Sequence, residues 1–410
     1  MTPAARVQSA IELTDAIIVA AREGGAAADV IASRFFKERR YAGSGDRRAI
    51  RDLTWRAIRR FGKAPTSGRS AIVALADEDS DLAAMFTGGA HGPASIDSRE
   101  TRATGGLMPK WLLPLLDRRI GDRGGNAAEI AALLDRAPLD LRINPARAEG
   151  VDMPEGAVPL PAPLQGLRLP GDTPVLKSGA YRYGAIEVQD AGSQWISATC
   201  AAKPGLTVVD LCAGAGGKTL ALGAAMGGGD IRPGRLIACD TDRRRLQMLP
   251  ARAERAGVEH IESRLLNPGE EAAALADLEG VADIVLIDAP CSGSGTWRRN
   301  PEARWRLTPA RLERLCSEQA RLLDIGAKLV AKGGVLVYAV CAITSGEGEG
   351  QMTAFVRRNQ GWRAEDPFRA AGWAGEGAEQ GFGRKAGIGH LLTPLHDATD
   401  GFFMARLRKI

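Results

Sequence analysis

Two cysteines stand where covalent chemistry is possible. Cys291 sits in Asp288-Ala-Pro-Cys-Ser-Gly-Ser-Gly295, and Cys341 closes the apolar run Gly334-Val-Leu-Val-Tyr-Ala-Val-Cys341. Each follows what reads as a strand, and in an open α/β sheet the carboxyl ends of the strands line a single crevice, so residues far apart in sequence can meet there. Two thiols in such a crevice suggest a thiolate enzyme acting on a pyrimidine ring, because a thiolate that adds to the ring activates the neighbouring carbon and splits one difficult displacement into two easier steps.

A third segment supplies a cofactor half. Val208-Val-Asp-Leu-Cys-Ala-Gly-Ala-Gly-Gly-Lys-Thr219 starts as a short apolar strand, breaks into glycine and alanine, and enters a helix-forming stretch. A strand, loop and helix in that order can cradle a ligand on backbone N–H groups, here those of Cys212, Ala213, Gly214, Ala215, Gly216, Gly217 and Lys218. The loop is not a P-loop, since Cys212 occupies the position of the first glycine. It is not a full dinucleotide fingerprint either, since Lys218 and Thr219 stand where its last glycine belongs. The next apolar run, Arg235-Leu-Ile-Ala-Cys-Asp240, ends in an acid about twenty residues on, where a carboxylate accepts hydrogen bonds from both hydroxyls of a ribose. A glycine loop and a ribose acid without a phosphate-specific pattern point to a nucleoside carrying a sulfonium, S-adenosyl-L-methionine.

These motifs, with Trp297-Arg-Arg-Asn-Pro301, Glu347-x-Glu349 and the closing Asp400-Gly-Phe-Phe-Met-Ala-Arg-Leu-Arg408, resemble the RNA cytosine-C5 methyltransferases of the Sun/Fmu type over roughly residues 106–410. The resemblance implies Cys341 as the thiolate that attacks C6 of cytosine and Cys291 as the group that assists product release. It also implies that Asp288 faces the ring N3 or the cofactor end, and that Lys218 orients Asp288 and favours a thiolate. Three positions depart from the family pattern. Ala213-Gly-Ala-Gly-Gly-Lys218 lacks the family's proline and gains a glycine, Val340 replaces a threonine before the nucleophile, and the family's adenine-contacting acid is missing, with Asn267 or a backbone group in its place. Cys200, Cys212, Cys239 and Cys316 read by default as small buried hydrophobes.

Downstream of Cys291, Trp297-Arg-Arg-Asn-Pro-Glu-Ala-Arg-Trp-Arg306 interleaves aromatic rings with guanidinium groups, as single-stranded RNA channels do. Arg298, Arg299 and Arg304 are therefore expected to touch RNA. In the first seventy residues Arg and Lys outnumber the acids, although the whole chain of 410 residues carries only +5. Residues 3–62 read as three helices. The third, capped by Ser44 or Asp46, buries Ile50, Leu53, Ala57 and Ile58 and places Arg48, Arg51, Trp55 and Arg59 on its other face. Gly43-Ser-Gly-Asp-Arg-Arg48 resembles the NusB-like RNA-binding domain of the 16S rRNA members of the family, which implies RNA contacts at Arg48 and Arg51.

The expected class is α/β, a Rossmann-like S-adenosylmethionine-dependent methyltransferase domain preceded by an all-helical NusB-like domain. The expected boundaries are 1–86 for the helical domain, 87–106 for a linker, 107–187 for a family-specific subdomain and 188–410 for the catalytic domain. Strands are expected at 207–211, 235–239, 282–287 and 335–340, a long helix from Pro309 to about Ala331, and a kink at Pro250. RNA, rRNA above all, is the expected partner, with a tRNA substrate or a non-catalytic ribosome-assembly factor as the alternatives. No apolar run reaches membrane length, and cysteine and histidine spacing suggests neither disulfides nor a metal site. A cytoplasmic monomer is expected.

Overall fold

The computed structural model describes residues 1–121, 126–227, 234–373 and 382–410. The chain divides into two compact units, one formed by Met1–Asp135 with Thr296–Pro309, the other by Arg136–Gly295 with Ala310–Ile410.

In the first unit, α1 (Pro3–Glu23), α2 (Ala28–Glu38), α3 (Ser44–Arg60) and α4 (Gly68–Ala76) bury Leu13, Ile17, Ile50, Ile58, Phe61 and Ile72 between them. The Thr2 hydroxyl caps α1 by accepting the Ala5 N–H at 3.2 Å. Gly68 lets α4 approach α1 closely, since a Cβ there would sit 2.2 Å from the Ile11 carbonyl oxygen. Asp46 holds the start of α3, accepting the Gly43 N–H at 3.1 Å and the Arg6 Nε–H at 2.7 Å. Arg48 and Arg51 are exposed as expected, but Trp55 is buried among Leu13, Phe35 and Ile58 rather than lying on the basic face. The apolar stripe of α3 is wider than the four spaced aliphatics suggested.

Residues 301–306, expected in an RNA channel, instead serve as caps for three helix ends of this unit. Helix ends leave backbone groups without intrahelical partners. Arg304, only 1 % exposed, donates to the carbonyls of Ile58 at 2.7 Å, Arg59 at 2.8 Å and Phe61 at 3.1 Å at the end of α3, and the Trp305 indole N–H also reaches Phe61, at 2.7 Å. Arg306 donates to Gly25 and Ala26 just past α1, and Glu302 accepts the Ala28 N–H at the start of α2. Trp297 and Arg298 are buried as well, and Arg299 is half-buried. The Arg304 assignment to RNA is thus corrected, because its side chain is buried and both of its terminal NH2 groups are spent on carbonyls. Residues 87–106 lack helix and strand but are no loose linker. Arg69 pairs with Glu100 at 2.6 Å, Arg102 pairs with Asp77 at 3.0 Å, and the Ala103 N–H bonds the Ser70 carbonyl at 2.9 Å. The compact units part at 135/136, not at the expected 106/107 and 187/188.

The second unit opens with a four-stranded antiparallel sheet in the order β2-β3-β1-β4, from β1 (Leu139–Ile143), β2 (Val158–Pro159), β3 (Gly166–Leu169) and β4 (Ile186–Val188). The main sheet comprises β5 (Thr207–Asp210), β6 (Arg235–Asp240), β7 (Ile261–Leu265), β8 (Ala282–Asp288), β9 (Val330–Val340), β10 (Trp362–Glu365), β11 (Arg384–Ala386), β12 (Gly389–Leu392) and β13 (Phe402–Lys409). Its order is β11-β12-β13-β9-β8-β5-β6-β7, with β10 paired to β13. The strands β9, β8, β5, β6 and β7 run parallel, and β13 lies antiparallel to β9. The doubly wound expectation holds, as does the helix Pro309–Leu329. Pro250 does more than kink its helix: Arg243–Leu246 ends and Leu249–Ala256 restarts with proline in its first turn, where the missing N–H costs nothing. Strand order reverses between β5 and β8, so the crevice of this sheet opens at their carboxyl ends.

Replacing Arg304 by methionine keeps much of the side-chain volume and strips the end of α3 of its donors. Orphaned buried carbonyls cost about 1–3 kcal/mol each before relaxation, so Arg304→Met is expected to lower stability by roughly 2–4 kcal/mol in urea unfolding. An unchanged midpoint would show that the carbonyls find other partners.

Candidate active site

The crevice is built from four strand ends. β5 stops at Asp210, and the loop behind it turns through two left-handed glycines, Gly214 at φ +57° and Gly216 at φ +86°. A Cβ at Gly214 would meet the Arg245 guanidinium at 2.4 Å, and one at Gly216 would meet Leu249 at 2.2 Å, so both conformation and space demand glycine. Asp240, at the end of β6, ties the loop down: one carboxylate oxygen accepts the Gly214 N–H at 2.6 Å and the other the Asp242 N–H at 2.7 Å. The cradle is narrower than expected, because the Ala213, Gly214 and Gly216 N–H groups are spent on Cys239, Asp240 and Ala213.

Asp210 is buried and takes one hydrogen bond, from the Thr219 hydroxyl at 2.7 Å, while its other oxygen finds no partner. Burial raises its pKa to about 7; the Thr219 bond opposes this, and Asp288 reinforces it. At the end of β8, Asp288 accepts a 2.6 Å bond from Lys218 Nζ. Burial works against the Lys218 charge, but Asp288, Cys341 and Asp210 together hold its pKa above the ordinary lysine value. Two carboxylates, Asp288 and Asp210, act on the one ammonium. The glycine loop and the acids at the ends of β5, β6 and β8 suit a nucleoside with sulfonium and ammonium groups.

The two cysteines, expected on neighbouring strand ends, do meet: Cys291 Sγ and Cys341 Sγ are 3.2 Å apart. The hydrogen bond with Cys341 pushes the Cys291 thiol well above the ordinary value, and burial and the charge of Glu347 add to this. Either sulfur can donate in this contact. Burial likewise pushes the thiols of Cys200 and Cys239 up to about 12 and that of Cys212 well up. Cys200 and Cys239 are fully buried, whereas Cys212 and Cys316 are half-buried.

Asn267 lies exposed just beyond β7, its amide donating to Glu270 at 3.0 Å. Sequence reasoning gave no role to Asp210, Thr219 or Glu347. Glu347 stood in the motif Glu347-x-Glu349, but nothing in that spacing showed that its carboxylate meets Ser292, Gln319 and Thr344. Among the described residues no helix is long and apolar enough to cross a membrane, and no group of three metal-ligating side chains occurs.

Comparison with known proteins places this architecture. The probable ribosomal RNA small subunit methyltransferase B of Synechocystis is 35 % identical over 315 residues, 74 % of this chain and 67 % of that protein. The ribosomal RNA small subunit methyltransferase B of Xylella fastidiosa is 33 % identical over 317 residues, 73 % of this chain and 68 % of that protein. In fold, the crystal structure of PH0851 matches all of both chains with a TM-score of 0.75 at 22 % identity. NSun6 from Pyrococcus horikoshii, solved with SFG, covers 73 % of this chain and 98 % of its own with a TM-score of 0.59 at 18 % identity. Residues 198–408 match the family model of the 16S rRNA methyltransferase RsmB/F. The chain belongs to that family, whose methyl donor is S-adenosyl-L-methionine.

Proposed function

We propose that the protein methylates C5 of cytosine in small-subunit ribosomal RNA through a covalent adduct between Cys341 and C6 of the base. The observation that carries this reading is the 3.2 Å contact of two thiols at the strand ends that also bear the Lys218–Asp288 pair. When bound, the cofactor supplies an electrophilic methyl group on a sulfonium.

The protein's own side chains divide the remaining work. Cys341, as thiolate, forms the S–C6 bond, and the displaced ring electrons move toward N3, which Asp288 and Lys218 face. C5 is thereby made nucleophilic. After C5 has gained its methyl group, water takes the C5 proton, the C–H electron pair returns to the ring, and the S–C6 bond breaks with the sulfur leaving as the Cys341 thiolate. Cys291 stands against the departing sulfur and assists that release. Two identical functional groups are thus given different tasks by their surroundings. The cofactor lies over the loop Cys212 to Lys218, whose glycines let it approach the backbone, and is held by the loop's remaining N–H groups with Asp240, Asn267 and Asp288. RNA is held by the exposed Arg48 and Arg51 of the helical unit and by Arg299. A base flipped into the crevice provides the pyrimidine.

The charge of Asp210 sets a pH dependence. A carboxylate whose pKa is raised on folding costs stability as pH climbs from the unfolded value of 3.8 toward the folded value of about 7, and the full cost applies above it. Asp210→Asn, which keeps an acceptor for Thr219, is therefore expected to be more stable than the parent without cofactor. The gain should be roughly 2–3 kcal/mol larger at pH 8 than at pH 5, measured by urea unfolding at both pH values. A gain independent of pH would place the proton elsewhere.

The covalent reading is tested with both thiols. Cys341→Ser is expected to abolish transfer of tritiated methyl groups to small-subunit RNA and to leave no adduct, a serine hydroxyl being far less nucleophilic than a thiolate. Cys291→Ser is expected to allow attack and to accumulate a protein–RNA adduct that survives denaturing electrophoresis. The reverse pattern would exchange the roles of the two thiols.

A further inference from the structure

Glu347 lies on the turn after Cys341 with no solvent exposure. A buried carboxylate is costly unless its lone pairs are filled, and here they are filled from three segments. Oε1 accepts the Ser292 backbone N–H at 2.7 Å and the Gln319 amide at 3.1 Å. Oε2 accepts the Ser292 hydroxyl at 2.6 Å and the Thr344 hydroxyl at 2.7 Å. Gln319 also donates to the Pro290 carbonyl at 2.9 Å, so the residues on both sides of Cys291 are tied to the same carboxylate. The backbone of Glu347 is anchored in turn, its carbonyl accepting the buried Tyr338 hydroxyl at 2.8 Å. Two further bonds join the same loops, Gly295 N–H to the Cys341 carbonyl at 3.0 Å and Ile343 N–H to the Ser294 hydroxyl at 3.0 Å.

We propose that Glu347 is the positioning residue of the thiol pair: its carboxylate fastens the Cys291 loop to the turn after Cys341 and so keeps the two sulfurs in contact. The proposal deepens the reading of Cys341 as nucleophile and rests on it for its catalytic meaning. Its electrostatic consequence is an asymmetry between the thiols. Cys291 faces Cys341, the Tyr338 hydroxyl and the negative charge of Glu347, while the Lys218–Asp288 pair lies toward Cys341. The same carboxylate that sets the distance adds its charge to the contact with Cys341 and the burial that favour the Cys291 thiol.

Glutamine at this position separates charge from shape. Its amide oxygen can replace Oε1 and accept both N–H donors, and its NH2 can donate to the Ser292 and Thr344 hydroxyls, which rotate to accept. Glu347→Gln is therefore expected to melt like the parent and to bind S-adenosylhomocysteine within threefold. Site-resolved alkylation by iodoacetamide between pH 6 and 10, read by mass spectrometry, should show the midpoint for Cys291 falling by about one unit or more. Methyl transfer should lose at least tenfold in kcat, with little change in KM for RNA. Glu347→Ala, which also releases the loops, should lose more than tenfold in affinity for phenylarsine oxide, a reagent that needs two thiols in contact. Ser292→Ala, which removes one hydroxyl and keeps the backbone, is expected to weaken arsenical capture by a smaller factor, and it remains informative if the Glu347 variants do not fold. A Cys291 midpoint unmoved in Glu347→Gln, or arsenical capture unmoved in Glu347→Ala and Ser292→Ala, overturns the proposal. Neither the alkylation nor the arsenical measurement needs RNA. If both come out as expected while the parent transfers no methyl group, the catalytic reading fails and the positioning role stands.

Discussion

The crevice is governed by the need to place carboxylates at strand ends and to satisfy each of them. Asp210, Asp240, Asp288 and Glu347 project from or just beyond β5, β6, β8 and β9, and each finds a different remedy. Asp240 is met by backbone N–H groups, which is why the glycine loop folds over it. Asp288 is met by Lys218, which fixes the start of the following helix against β8. Glu347 is met by four donors from three segments, which gathers the thiol loops. Asp210 is left with one hydroxyl and a buried oxygen without a partner, the deficit that burial expresses as a raised pKa.

Charge placement also explains how one pair of thiols acquires two characters. A sulfur backed by a buried carboxylate is favoured as thiol. The parallel strands β8 and β9 bring the two loops side by side, and the helix Gly217–Met226 and the turn after Cys341 deliver opposite charges to their two flanks.

Much of this was legible in the sequence because local patterns carry it. The alternation of apolar runs with helical stretches announced the doubly wound sheet, and two cysteines after neighbouring strands announced a thiol pair. What could not be read was which oxygen atoms a guanidinium would find. Arg304 among Trp297, Trp305 and Arg306 looks the same in sequence whether its partners are phosphates or the carbonyls closing α3. Trp55 carried the same ambiguity between a stacking surface and a core. The glycine- and serine-rich stretch 87–106 signalled irregular backbone correctly, but composition could not show that Glu100 and Arg102 bind it to Arg69 and Asp77. Glu347 was opaque for a related reason, its partners being spread from Ser292 to Thr344.

The caps on α1, α2 and α3 have a consequence for biogenesis. Arg304 closes a helix that ended at Arg60, and Glu302 and Arg306 serve helix ends near residues 25 to 28. During synthesis the amino-terminal helices emerge long before the segment that completes them. Contacts between residues so distant in sequence form late, after the loop-closure cost has been met. The helical unit must therefore wait, with the ends of α1, α2 and α3 uncapped, until the strand bearing Asp288 has been made. Its maturation is timed by translation of the catalytic unit, and a release of the nascent chain before residue 306 would yield helices that lack their final fastening.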